Sequence, residues 1–112
     1  MGYYAKAYNE QNLIKIPFEN IKPALEALSH TRWNKDTMTE ACVAVGFEAE
    51  VNAEPGEVHL YGFDNKYSGV DEFLEIIRPY VTPDSVFAFI GEDDALWRWT
   101  PAETQYGTVT WA

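Results

Sequence analysis

Cysteine and positive charge are what this chain has least of. Its 112 residues include one cysteine, Cys42, so an internal disulfide framework is excluded and the fold must rest on its core. A lone thiol with no evident histidine partner reads as a small buried apolar residue rather than a nucleophile. The two histidines, His30 and His59, belong to no HxH, HExxH or Cys-His arrangement, which removes the usual zinc chemistry. No G-x-S-x-G, P-loop or dinucleotide fingerprint occurs, and catalysis has no motif behind it. Long apolar runs are missing too: no window approaches the length of a bilayer span, and MGYYAKAYNE lacks a basic region followed by an apolar one. Met-Gly opens the chain, but position 6 is Lys6 where a myristoylation pattern needs Ser or Thr. These absences lead to the expectation of a soluble, cytoplasmic, non-enzymatic protein with no cofactor, no metal and no membrane association.

Base is scarce and unevenly placed. Eight Lys and Arg stand against eighteen Asp and Glu, a net charge of −10. Residues 1–38 hold five bases and four acids, a balance of +1, whereas residues 39–112 hold three bases and fourteen acids, a balance of −11. Such a field repels nucleic acid and favours a basic partner, with steering that weakens as salt rises. What is abundant is apolar and aromatic residues, 46% and 15% of the chain, enough for a single domain over residues 1–112 with one core.

Periodicity supplies the elements. Tyr3 to Tyr8 and Leu13 to Ile16 read as strand, either one long strand with an irregular middle or a hairpin turning at Asn9-Glu10-Gln11-Asn12. Phe18, Ile21, Leu25 and Leu28 make a helical stripe, and an N-cap at Asn20 would keep Pro23 in the first turn. Thr37-Met38-Thr39-Glu40 fits a capping box for a short helix that buries Met38, Ala41, Cys42 and Val45 and ends at Gly46. Phe47 to Asn52 and Glu57 to Phe63 alternate around the turn Ala53-Glu54-Pro55-Gly56. Their register sets Val51 against Val58 and Ala49 against Leu60 on the core side, with Glu50 against His59 and Glu48 against Tyr61 on the other. Ser68 opens a third helix with Val70, Phe73, Leu74 and Ile77 buried. Val86 to Ile90 and Ala95 to Thr100 form a hairpin around Gly91-Glu92-Asp93-Asp94, and Thr108 to Trp111 reads as a last strand after a loop at Pro101 to Gly107. The order β-α-α-β-β-α-β-β-β predicts an α+β fold, a mainly antiparallel sheet of five or six strands with three helices on one face. Three helices cannot cover both faces, so one is expected to be open.

A two-residue turn at Asp93-Asp94 would set Ile90 opposite Trp97 and Ala88 opposite Trp99, sending both tryptophans into the core with Val109 and Trp111 beside them. Phe87, Phe89 and Arg98 would then share the open face with Glu48, Glu50, His59 and Tyr61. Aromatic rings supply burial at an interface and charges supply register, so the expected partner-binding set is Glu48, Glu50, Tyr61, Phe87, Phe89, Glu92, Asp93, Asp94 and Arg98. Three adjacent acids at a turn face solvent rather than provide the six or more oxygens calcium requires.

The stretch Gly91-Glu92-Asp93-Asp94-Ala95-Leu96-Trp97-Arg98-Trp99 resembles a pattern in small uncharacterised bacterial and phage proteins, a GEDG-type turn followed by WRW, with Asp94 in place of the usual turn glycine. The resemblance extends loosely to Asp71–Pro79 and to the opening strand and helix. It implies an α+β fold and a phage or mobile-element setting, and it transfers no function. Charge and surface together lead to the expectation of a binding module of phage or bacterial-conflict type. It would occupy a basic, nucleic-acid-binding site on a partner protein, such as a nucleic-acid-processing enzyme, as nucleic-acid mimics and anti-CRISPR-like inhibitors do, without contacting nucleic acid itself. A toxin-immunity protein or a structural phage component would look alike in sequence. The alternative from another class is a small-molecule binder or small enzyme with an aromatic pocket around His59.

Overall fold

The computed structural model describes residues 3–8 and 12–106. Along the chain these are β1 (Tyr4–Ala7), β2 (Ile14–Pro17), α1 (Phe18–Leu28), α2 (Met38–Val45), β3 (Phe47–Asn52), β4 (Glu57–Lys66), α3 (Val70–Ile77) with a 3₁₀ turn at Arg78–Tyr80, β5 (Phe87–Gly91), β6 (Leu96–Trp99) and β7 (Thr104–Tyr106). The strands pair antiparallel and the fold is α+β. The final strand expected at Thr108 to Trp111 lies outside the described residues, as do the core positions given to Val109 and Trp111. The segment read as a loop instead contains β7, paired with β6 from Trp99↔Thr104 to Trp97↔Tyr106.

The registers place β1 and β2 end to end on one edge of β4. Tyr4 sits opposite Lys66 and Lys6 opposite Asp64, then Ile14 opposite Leu60 and Pro17 opposite Glu57. β3 holds the other edge of β4, and β1 continues the sheet to β5, β6 and β7. β1 and β2 therefore run in the same direction along β4 and do not form a hairpin with each other; residues 9–11 between them lie outside the described residues.

Asn12 repairs the interruption. Its side chain is buried, accepts from the Ala88 N–H at 2.8 Å and reaches the Ala88 carbonyl at 3.4 Å, while also donating to the Tyr8 carbonyl at 3.0 Å. The amide thus presents one donor and one acceptor to β5, as a strand residue's own backbone would. Ladder contact resumes one residue on, where Leu13 and Val86 exchange both backbone bonds.

The helices differ from expectation mainly at their starts. α1 begins at Phe18, so Pro23 lies inside it, and Asn20 is not a cap: its amide donates to the Tyr80 carbonyl at 3.0 Å and ties α1 to the 3₁₀ turn. Phe18 accordingly sits at the helix edge, 45% exposed, and the buried stripe shifts to Ala24 and Leu28. α2 forms the N-cap half of its capping box, the Glu40 N–H donating to Thr37 Oγ1 at 3.1 Å, while the Glu40 carboxylate accepts from the Thr37 hydroxyl rather than its N–H, and the helix ends at Gly46. α3 starts after Gly69 rather than Ser68 and has no side-chain cap, but it buries Val70, Phe73, Leu74 and Ile77 as its spacing requires.

These helices pack on one side of the sheet, against Ile14, Ile16, Val58, Leu60, Phe63 and Phe87. The core is dominated by rings in edge-to-face contact: Phe47 on Phe87 at 5.3 Å, Phe63 on Phe89 at 5.5 Å, Tyr67 on Trp97 at 5.0 Å and Trp33 on Phe73 at 5.4 Å. That geometry sets the positive ring edge against the negative face, which favours each pair by about 0.5–1.5 kcal/mol beyond burial. Cys42 is sealed in this core, and burial pushes its thiol pKa up, away from reactivity.

Candidate functional site

The β5–β6 hairpin carries the largest correction. Its register is Phe87↔Trp99, Ala88↔Arg98, Phe89↔Trp97 and Ile90↔Leu96, one residue from the expected pairing. The cause is the turn. Gly91 and Ala95 close a three-residue loop, with the Gly91 N–H donating to the Ala95 carbonyl at 2.8 Å and the Asp94 N–H to the Gly91 carbonyl at 2.9 Å. Asp94 has a φ of 67°, the left-handed position that completes a three-residue hairpin loop and is commonly glycine. A one-residue slip flips every side chain, so Phe87 and Phe89 join Trp97 and Trp99 inside, both fully buried. They are core residues and leave the partner-binding set.

Arg98 faces the other side, half-buried, and its guanidinium Nε donates to Gln105 on β7 at 3.0 Å, so it is held within the sheet. At the turn, Glu92, Asp93 and Asp94 are exposed but not equivalent. Glu92 accepts from the Tyr4 N–H at 2.9 Å, and Asp93 accepts from the Tyr3 hydroxyl. That bond pushes Tyr3 up to about 12 and holds Asp93 below the ordinary carboxylate value, with the Ala95 N–H assisting. Gly91 makes the approach feasible, because a Cβ there would collide with the Tyr3 hydroxyl. The turn is therefore pinned to the first strand of the sheet.

On β3 and β4 the expected register holds from Asn52↔Glu57 to Ala49↔Leu60 and then shifts. Glu48 sits opposite Gly62 rather than Tyr61, across a bulge that also returns Phe63 to the core. Tyr61 is the extra residue and is 46% exposed, while Glu48 lies across Gly62 and Glu50 is exposed two residues on. Glu48, Glu50 and Tyr61 thus gather at one margin of the uncovered face, and Glu92, Asp93 and Asp94 gather at the β5–β6 turn beside Tyr4. Asp64, Lys6 and Lys66, all exposed, lie in the strands between.

His59 stands opposite Glu50, as expected, but its ring is committed elsewhere. Nδ1 lies 3.2 Å from the Asn52 amide nitrogen and Nε2 lies 2.9 Å from Glu57 Oε1. A neutral ring that accepts at Nδ1 and donates at Nε2 satisfies both contacts, which makes His59 a link between neighbouring side chains rather than the base of a pocket. Among the described residues no three His, Cys, Asp or Glu side chains converge as a metal site requires. No described helix is long and apolar enough to cross a membrane.

Two surface features escaped the sequence. Val51, expected in the core, is 62% exposed, because β3 is an edge strand; with Phe18, Ile21 and Leu25 it lines an apolar groove on the helix side. Tyr4 is 48% exposed on the open face beside Glu92, and the alternation with buried Ala5 would have located it. Comparison of the chain with protein-family models, with curated proteins and with solved structures finds no match.

Proposed function

We propose that this chain is a non-enzymatic binding protein of phage or bacterial-conflict type that sets its acidic, uncovered sheet face against a basic surface of a partner protein, the kind of surface that otherwise holds nucleic acid. The observation that carries this reading is the sidedness of the fold. The three helices pack on one face, and the other presents Glu48, Glu50 and the exposed ring of Tyr61, with Tyr4 beside the carboxylates of Glu92, Asp93 and Asp94. Phe87 and Phe89 cannot anchor a partner, so that role passes to the tyrosines, whose rings bury area while their hydroxyls stay hydrated. Rows of carboxylates compete for the arginines and lysines that hold phosphates, and the affinity should fall steeply with salt.

The test is affinity capture from the native host at low salt, with mass-spectrometric identification and a binding titration of whatever is retained. The expected result is a basic nucleic-acid-binding protein whose affinity declines with salt. Reversing Glu48 and Glu50 to lysine should weaken it by at least about tenfold, since like charges brought together across an interface cost several kcal/mol. Retention unaffected by that reversal and by salt would sink the proposal.

A further inference from the structure

In a protein this acidic, one cavity is basic. It has a volume of about 440 Å³ and lies where the α1–α2 connection, the end of α2 and the β4–α3 connection meet. Arg32, Lys35 and Lys66 line it, three of the chain's eight cations, and no carboxylate among the described residues does. The C-terminal end of α2, at Ala44 and Val45, adds the negative pole of a helix, equivalent to about half a charge, and that cannot balance three full ones. The nearby carboxylate of Asp71 is turned to the Tyr67 hydroxyl at 2.7 Å. Glu40 lines an adjoining groove that shares Lys35 and Ala44 with the cavity, and its carboxylate accepts from the Thr37 hydroxyl at 3.1 Å.

The site is built rather than incidental. Arg32 is fixed in three ways. Its guanidinium lies 4.9 Å from the Trp33 ring centroid, its Nη2 donates to the Ser68 carbonyl at 3.2 Å, and it occupies the space over Gly69, where a Cβ would collide with Nη2. Gly69 has a φ of 75°, so glycine suits both the backbone and the approach. Only one of the guanidinium N–H donors is used among the described residues, which leaves a held, planar fork of the kind that recognises phosphate. Trp33 is 3% exposed, and its indole N–H has no acceptor among the described residues. It is not sealed in, as the unpaired Trp99 Nε1 is, so it meets the surface, and the basic cavity is where Trp33 lines the surface. The indole N–H is thus a donor open to solvent beside cations, free to exchange water for an anionic acceptor.

We propose that this cavity binds a small phosphate-bearing molecule, with Arg32 as the oriented fork, Lys35 as a point charge, Lys66 at the rim and the Trp33 indole N–H as a neutral donor. The volume falls within the range of small-molecule sites. The free-phosphate and nucleotide forms share this chemistry, and the titrations separate them. This inference rests on residues apart from the acidic face and stands or falls independently of it.

The experiment is NMR titration of the full ¹⁵N-labelled chain with sodium pyrophosphate, with ADP and, at matched ionic strength, with sodium sulfate. Saturable shifts at the Trp33 indole N–H and the Ser68 and Gly69 amides are expected with pyrophosphate or ADP. Tighter binding of ADP identifies a nucleotide site, and equal or tighter binding of pyrophosphate a free-phosphate site. The double variant Lys35→Gln, Lys66→Gln, at two exposed positions, should keep its thermal midpoint and bind at least tenfold more weakly. Arg32→Lys, which keeps the charge but removes the fork, should weaken binding as well. Absence of saturable shifts, shifts confined to other residues, equal response to sulfate, or unchanged affinity in the double variant would each overturn the proposal.

Discussion

The β3–β4 hairpin lies at the margin of the sheet and the β5–β6 hairpin starts in its middle, and their side chains follow from that position. β3 pairs on one edge only, so Glu48, Glu50 and Val51 are all exposed. β5 is paired on both edges, and Phe87, Ala88 and Phe89 are buried in succession, without alternation. On its inner side lie four rings from its own hairpin; on its outer side Ala88 is only 1% exposed. An edge strand keeps carboxylates because they discourage further pairing, whereas a central strand excludes them because both faces lose water. The surface available to a partner therefore belongs to β3, β4 and the β5–β6 turn, and the strength of the fold belongs to β5.

The sharpest way to break this contrast is to truncate one apolar side chain on each hairpin. Phe89→Ala should cost about 3–5 kcal/mol by chemical denaturation, because the cavity it leaves is lined by rings that cannot close over it. Val51→Ala should cost less than about 0.5 kcal/mol. Comparable losses would mean that the two hairpins contribute alike and that the edge reading of β3 is wrong.

A smaller effect probes how β5 is held. Asn12→Ala would strand the Ala88 N–H, for which the side-chain oxygen is the acceptor, in a buried place. The expected loss is about 1–3 kcal/mol. Hydrogen exchange at the Ala88 amide should rise with it, and unchanged protection would show that the side chain is not standing in for backbone. Opposite in sign is Asp94→Gly, which should stabilise the turn by about 1 kcal/mol by relieving a non-glycine residue of its left-handed conformation. A loss of stability on that substitution would mean that the Asp94 side chain holds the loop.

Much of the candidate site was legible because polar alternation reports a solvent-facing strand. Glu48, Glu50 and Tyr61 were read correctly as outward, although the bulge at Glu48/Ala49 changed which of them face each other. The β5–β6 hairpin gave no such signal. Both of its faces carry large apolar residues, so periodicity could not choose between registers one residue apart, and the turn length decided. Asp94 hid that length, since aspartate in the left-handed position lacks the mark a glycine would have supplied. Asn12 was invisible for a related reason: an asparagine inside a strand line reads as a break until the backbone it serves is in place.

The pattern of the chain by itself determined the class of fold, the three helices and the buried stripes of α2 and α3, the four-residue turn between β3 and β4, and a surplus of carboxylates in the last two-thirds. These depend on local period, capping chemistry and charge, which neighbours in sequence suffice to set. Tertiary structure alone decided that β1 and β2 form one interrupted line, that Phe87 and Phe89 face inward, and that Arg32, Lys35 and Lys66 meet around Trp33. Each of those turns on which distant backbone lies alongside, and a shift of one residue in that pairing exchanges the inside of a strand for its outside.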